Sequence, residues 1–365
     1  MERGYPWQEW DLLRREAPVF WYEREDIAPF WAITRHEDIL TISKHSDVFV
    51  NSQRLRLQTI EEDQRQAVTT KLRIEANGWD PEEPMDFILM DDPRHRKFRN
   101  ITARNFTPAA LRTLEPHFDS LSQKFSDEFA AELDRAGHAG ETTDFVRGFA
   151  QKLPLAAIGE MMGLPPGDWQ RLKQLTNVMI GAPEPDFFEP GEDRNQGVIR
   201  AFMEIGAYMN RLIHDRRASG ETQDLSSQII HGRLDGKPLT EQQLEGYLFV
   251  ILAAGNETTQ NAISGGVHAL LEHPEQRDLL CANPELVTSA AEEILRWTSP
   301  VVQFARTATR DFELRGTAIK AGEDVGMWYP SANRDEAVFD DPYRFDITRD
   351  PNRHLAFGGY GAHFC

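Results

Sequence analysis

The alternation of apolar and polar positions along the chain predicts mostly helix. "GVIRAFMEIGAYMNRLIHDRRASG" carries an apolar stripe at spacings of three and four, turns basic near its end and stops at a glycine, the signature of an amphipathic helix. Shorter alternating runs at "APVFWYE", "PFWAITR" and "TATRDFELRGTAIKAGEDVGMWY" predict strands, and the turn residues of "LRG" and "KAGE" divide the last into small antiparallel pieces. The expected fold class is mainly α with small antiparallel β-sheets at both ends, in a single domain over residues 1–365. No repeat at solenoid periods and no low-complexity linker interrupts it.

One helix dominates the pattern. "PLTEQQLEGYLFVILAAGNETTQNAISGGVHALLEHPEQ" opens at Pro238, has Thr240 and Gln243 at capping-box spacing, and stops at Pro274. Unbroken, its roughly 33 residues would make a rod of about 50 Å. The run "FVILAAG" is apolar on every side, which suits a helix buried in the core. Gly255, Asn256 and two threonines then place weak helix formers at its centre. One reading is a tolerated packing glycine. The other is functional: Ala254 and Gly255 lie four and three residues before Thr258, on one face, and make a shallow dent floored by backbone with a hydroxyl at its lip. Glu257 points elsewhere and could join that hydroxyl to a water path. An acid and an alcohol beside such a dent suit proton delivery to a bound small molecule.

Composition narrows the classes. Hydrophobic residues make up 40% and charged residues 27%, enough to bury a sizeable core. A formal net charge of −19 argues against nucleic acid and against an anionic membrane surface. No stretch approaches the roughly 18–20 apolar residues of a membrane span, and the first residues lack a basic-then-apolar signal pattern. Two cysteines make no disulfide framework, which points to a reducing, cytoplasmic compartment. Cys281, flanked by leucines in "DLLCANPEL", is expected to be a small buried apolar residue.

Three further stretches carry candidate chemistry. In "DDPRHRKFRN", Asp92 is placed to cap a helix starting at Pro93, with His95 and Arg99 one turn apart on one face. Such a pair suits a carboxylate or phosphate, or is a solvated basic face. In "AAEEILRWTSP", Glu293 and Arg296 stand at i, i+3, a pair worth well under ~1 kcal/mol if it lies on the surface. Downstream come "SPVVQFART" with Arg306 and "DDPYRFD" with Arg344. The chain closes on "HLAFGGYGAHFC", a glycine-punctuated loop that presents the sulfur of Cys365.

The order "AGNETT", "EILR", "PYRF" and a glycine-rich loop to a cysteine, with "DPRHRKFR" upstream, resembles the haem-thiolate monooxygenases, the cytochromes P-450. The resemblance covers essentially the whole chain. It implies the P-450 fold, heme b (iron protoporphyrin IX) as cofactor, O2 as co-substrate, and insertion of one oxygen atom into a C–H bond of an apolar substrate. Cys365 matches the axial thiolate, which pushes electron density onto the iron. Glu257 and Thr258 match the acid–alcohol pair of proton delivery, with Ala254 and Gly255 as the oxygen groove. His95, Arg99, Arg306 and His363 match the cations that hold the haem propionates. Glu293 and Arg296 match two members of a buried structural triad, with Arg344 as the third and Arg349 as its alternative. Val301, Val302 and Phe304 fall where the family presents apolar side chains towards substrate.

Two departures stand out. Phe357 lies eight residues before the cysteine, and Gly358 holds the place where the family usually has phenylalanine. That "FGGxGAHxC" form with "AGNETT" resembles a bacterial branch that hydroxylates sterols and methyl-branched lipids. The family also continues beyond its cysteine into a helix that completes the haem's proximal wall, so this sequence is expected to be clipped at its C-terminus. Without a dinucleotide fingerprint, P-loop or flavin segment, the electrons are expected from a ferredoxin and its NAD(P)H-dependent reductase. The other readings are a haem-binding protein without monooxygenase activity and an H2O2-driven peroxygenase.

The substrate region is expected in two stretches. "LQTIEEDQRQAVTTKLRIEANGWDPEEPMDFILM" reads as long, polar and irregular, a mobile lid before Phe87, Ile88 and Leu89. "NVMIGAPEPDFFEPGEDRN" reads as a flexible connection carrying Met179, Phe187 and Phe188.

Overall fold

The computed structural model describes residues 4–180, 185–220 and 223–365. The N-terminal elements are α1 (Trp7–Glu16), β1 (Val19–Arg24), β2 (Ile27–Ile33), α2 (His36–Lys44), β3 (Phe49–Val50) and α3 (Ile60–Asn77). A helical stretch follows: α4 (Arg94–Arg99), α5 (Pro108–Ala139), α6 (Lys152–Met161), α7 (Pro166–Ile180), α8 (Arg194–Ser219) and α9 (Leu225–Ile230). After the short strands β4 (Arg233–Leu234) and β5 (Lys237–Pro238) come α10 (Glu241–Ala254), α11 (Glu257–Glu272), α12 (Pro274–Ala282) and α13 (Val287–Thr298). The last elements are β6 (Gln303–Ala308), β7 (Phe312–Leu314), β8 (Thr317–Ile319), β9 (Asp324–Trp328) and α14 (Tyr329–Ala332). The chain forms two compact units, one of residues 1–64, 88–93 and 261–365, the other of residues 65–87 and 94–260.

The first unit is built on a five-stranded sheet in the order β1-β2-β9-β6-β3. The strand-forming runs at both ends of the sequence are strands, as their alternation predicts, and β1, β2, β6 and β9 from the two ends share this one sheet. β2 lies parallel to β9, with Trp31 beside Val325, while the other pairs are antiparallel. Alternation shows which face of a strand is apolar but not which strand it meets. The apolar face gathers Ile33, Phe49, Val325 and Met327 with Ile39 and Ile42 of α2 and Tyr329 of α14. β7 and β8 form the hairpin predicted at "LRG", with Arg315 and Gly316 at φ 52° and 77°.

The second unit is helical. α8 starts at the Asp193 cap, whose side chain accepts from the N–H groups of Asn195 and Gln196, and ends at Gly220 with φ 67°. α10 starts at the predicted capping box, with Thr240 and Gln243 satisfying each other's backbone N–H groups. The single 33-residue rod is not formed. α10 stops at Ala254, Gly255 and Asn256 make a turn, and α11 restarts at Glu257. The hydroxyls of Thr258 and Thr259 donate to the carbonyls of Ala254 (2.9 Å) and Gly255 (3.3 Å), side-chain bonds that bend helices.

Two other expectations are corrected. The stretch read as irregular contains the 18-residue helix α3. Its start is a capping pair: Glu62 accepts from the Thr59 N–H (2.8 Å), and Thr59 Oγ1 accepts from the Glu62 N–H (3.2 Å). Cys281 is exposed rather than buried, because α12 buries only Gln276. In the connection after α7, residues 181–184 lie outside the described residues.

Candidate active site

The first unit fixes the C-terminal loop from a buried ion pair outwards. Glu293 and Arg296, at i, i+3 on α13, are fully buried and paired through two bonds of 2.7 Å. Burial without partners would be costly, and each is fully engaged. Arg296 also donates to the carbonyls of Asn333 (2.8 Å), Pro342 (2.8 Å) and Arg344 (3.1 Å). Glu293 accepts from the Asp346 N–H (2.9 Å), Asn352 Nδ2 (3.0 Å) and Arg349 Nε (3.2 Å). The third charged member is therefore Arg349. Arg344 offers only its carbonyl, and its side chain is 62% exposed beside Asp346. The loop of residues 340–349 turns its backbone, not the Arg344 guanidinium, towards the pair.

From this cluster the path leads to the cysteine. Asn333 Oδ1 accepts from the N–H of fully buried Leu355 (2.7 Å), which pins the start of the loop. Gly358 takes φ 95°, a conformation glycine adopts readily. Gly359 and Gly361 press against Ser43 of α2; a Cβ at Gly361 would stand 1.8 Å from the Ser43 carbonyl oxygen. The Cys365 N–H then donates to the Phe357 carbonyl (3.0 Å) and closes the loop, with the Cys365 residue exposed. His363 lies half-buried within it, and the Phe357 ring packs at a tilt against His354, 5.7 Å between centroids.

Arg306 on β6 is the clearest sign of a ligand. It is buried, hydrogen-bonds the Ala305 carbonyl (2.6 Å) and makes no ion pair among the described residues. Burial pulls its pKa below the usual arginine value, against the opposing fields of Tyr329 and Asp91. A buried guanidinium of this kind fits an anionic group, and a loop-held thiol fits a metal. Both features suit heme b. Val301 and Phe304 are half-buried and pack on the sheet core, and the Val302 carbonyl accepts from the Tyr329 N–H (3.1 Å).

The second unit carries the remaining candidates. His95 and Arg99 share one face of the short helix α4, with His95 buried. Tyr247 of α10, which the sequence reading passed over, anchors that helix. Its hydroxyl donates to the Phe98 carbonyl (2.9 Å) and bonds Thr102 Oγ1 (2.9 Å). The Phe87 ring stacks on His95 (6.0 Å) and packs on Tyr247 (4.5 Å), so it supports α4. At the α10–α11 turn Ala254 is exposed and Gly255 half-buried, with Thr258 bonded back to Ala254.

Glu257 sits half-buried behind the turn, and burial raises its pKa while Lys173 opposes the rise. Lys173 is itself buried on α7, and burial lowers its pKa to about 8 against the field of Glu257. Its ammonium donates to Gln151 Oε1 (2.7 Å) and to Gln260 Oε1. Lys173 and Gln260 were also missed. The signal was present, since Lys173 falls within the buried stripe Leu172, Leu175, Thr176 and Val178 of α7.

Residues 63–365 match the family Cytochrome P-450, and this chain belongs to that family. It is a haem-dependent monooxygenase, using the heme b and O2 of its class. It is 38% identical over 364 residues to a "Methyl-branched lipid omega-hydroxylase" of Mycobacterium tuberculosis, covering 97% of this chain and 78% of that protein. It is 35% identical over 369 residues to a "Steroid C26-monooxygenase" of the same species, covering 99% and 78%. Among solved structures, it superposes on Mycobacterium marinum cytochrome P-450 CYP268A2 in complex with pseudoionone, with a TM-score of 0.85 and 31% identity. That match covers 100% of this chain and 84% of the other. No helix among the described residues is long and apolar enough to cross a membrane.

Proposed function

We propose that this chain, acting as one catalytic domain in the cytoplasm, hydroxylates a sterol or methyl-branched lipid with electrons from a ferredoxin and its NAD(P)H-dependent reductase. The observation that carries the substrate class is the match, over 97–99% of the chain, to two hydroxylases named for a methyl-branched lipid and a steroid.

Heme b supplies the redox chemistry that reduces O2 and inserts one oxygen atom into the substrate. In this reading Cys365 would be the thiolate ligand, and Arg306 and His363 of the first unit and His95 and Arg99 of the second would be the cations available to the propionates. Arg306 would contribute most, because its charge is buried and forms no ion pair among the described residues, with Asp91 acting on it only through its field. Ala254 and Gly255 keep the α10–α11 turn free of bulk. Thr258 Oγ1, held by the Ala254 carbonyl, orients a proton at its hydroxyl, and Glu257 supplies protons from behind. Burial raises the Glu257 pKa, which favours its holding a proton, and the neighbouring Lys173 ammonium partly opposes that rise. The glutamine oxygens of residues 151 and 260 hold Lys173 where it exerts that field.

The substrate class is tested by ligand-induced shifts of the haem absorption band across cholest-4-en-3-one, phytanic acid, a terpenoid and unbranched fatty acids of matched length. The reading predicts at least tenfold tighter binding for the sterol or the branched acid than for unbranched acids. Equal affinity across the panel would overturn it.

A further inference from the structure

The start of the Cys365 loop is fastened at two consecutive backbone N–H groups, and the second fastening is a titratable side chain. The Leu355 N–H donates to Asn333 Oδ1 (2.7 Å), and Asn333 Nδ2 in turn donates to Ser299 Oγ (2.8 Å). The next N–H, that of Ala356, donates to Nδ1 of His354 (3.2 Å), two residues back. The His354 ring is buried, with 4% of its side chain exposed. Its other nitrogen, Nε2, lies 3.0 Å from Glu292 Oε2 on α13. Two adjacent glutamates of α13 thus hold two alternate residues of the incoming chain. Glu293 accepts from Asn352 Nδ2 (3.0 Å), and Glu292 takes His354.

These contacts assign the proton. Because Nδ1 accepts from an N–H, it carries no hydrogen, and Nε2 is the nitrogen that donates to Glu292. The neutral ring therefore satisfies both partners at once. A second proton would put an N–H at Nδ1, facing the Ala356 N–H, and that bond would be lost. Glu292, Arg296 and Glu293, whose charges act on the ring, all belong to α13, and the loop presents the uncharged Phe357 ring to it. Burial pulls the His354 pKa below the ordinary 6.5, assisted by Arg296 and opposed by Glu292 and Glu293. Folding thus favours the neutral form, so the hold is present above pH 6.5 and weakens as pH falls below it.

From Ala356 the path to the sulfur is short. Phe357 follows directly, and its carbonyl accepts from the Cys365 N–H (3.0 Å). Gly358, at φ 95°, donates its N–H to the Leu355 carbonyl (3.0 Å) and closes the turn. We propose that His354 is a positioning residue for Cys365: as the neutral ring with its proton on Nε2, it holds the Ala356 N–H and so sets the backbone that aims the thiol. Glu292 fixes the ring and its tautomer, and Nδ1 does the holding. His354 acts through the backbone of residues 356 and 357, and its bearing on a haem thiolate rests on the haem reading above. A side chain that merely filled this space would need the ring and neither nitrogen.

Three variants separate the parts of this hold. His354→Asn keeps an acceptor for the Ala356 N–H that does not titrate, His354→Gln keeps a donor for Glu292, and His354→Phe keeps only the ring. Hydrogen–deuterium exchange of the full chain at neutral pH should rise at least fivefold in residues 355–365 of His354→Phe and His354→Gln. It should stay within twofold of wild type in His354→Asn, with β1 and β2 unchanged in all three. Wild-type exchange in His354→Phe would overturn the proposal by showing that ring packing suffices. A rise in His354→Asn equal to that in His354→Phe would overturn it too, as would a uniform rise across all elements. On haem-loaded protein, carbon monoxide difference spectra from neutral pH down to about pH 5 then read the sulfur. The long-wavelength band of wild type should be lost as pH falls below 6.5, and the midpoint in His354→Asn should lie at least half a unit lower. Equal midpoints would contradict the role given to the neutral ring. A wild type without the long-wavelength band at any pH would overturn the haem reading and leave the exchange result to judge the hold.

Discussion

Lys173 lies buried on α7 between the side-chain oxygens of Gln151 and Gln260, and its proton is loosened to about pH 8. Because burial lowers the folded value below the ordinary 10.5, the unfolded chain binds more protons than the folded one between about pH 8 and 10.5. Lys173 therefore makes stability rise with pH across that window. The stability of wild type minus that of Lys173→Met, from urea titrations, should increase from pH 8 to 10.5. A difference that stays flat would contradict the buried position. At the same scale, sequence spacing located Glu293 and Arg296 but offered both Arg344 and Arg349 as the third partner. Only the backbone path of the intervening loop decides between them, and it turns Arg344 outwards. Arg344→Ala should change stability by no more than about 0.5 kcal/mol. Arg349→Ala should cost about 3 kcal/mol, because it strips a partner from a fully buried carboxylate. Equal losses in denaturation experiments would return Arg344 to the triad.

At the scale of elements, local chemistry was legible wherever it lay in a few neighbouring residues. The Thr240–Gln243 capping box and the glycine stop of α8 stand where the sequence places them. The interruption of the central helix was visible as a composition change, but continuous apolar periodicity on both sides argued for one rod. Threonine hydroxyls that capture carbonyls from the preceding turn decided the outcome. α3 was missed for the opposite reason. Its face is mostly polar, so the amphipathic signal is faint, and its anchors include charged pairs, Asp63 with Arg54 and Arg73 with Glu245, the latter 172 positions apart.

At the scale of the molecule, the mainly helical class and the family were readable from motif order, because a shared fold keeps the groups that serve one site in the same order along the chain. The sheet of the first unit was not, since its parallel β2–β9 pairing joins residues nearly three hundred positions apart. Nor did any local pattern show that Asn333 and Ser43 would brace the terminal loop. That loop carries the account's central claim, which is that Cys365 ligates haem iron as a thiolate. The most direct test is the carbon monoxide difference spectrum of the reduced, haem-loaded protein, alongside Cys365→Ser. Wild type should show the long-wavelength band of a thiolate-ligated haem, and Cys365→Ser should lose it. A short-wavelength band in wild type, or a long-wavelength band that survives in Cys365→Ser, would contradict the claim.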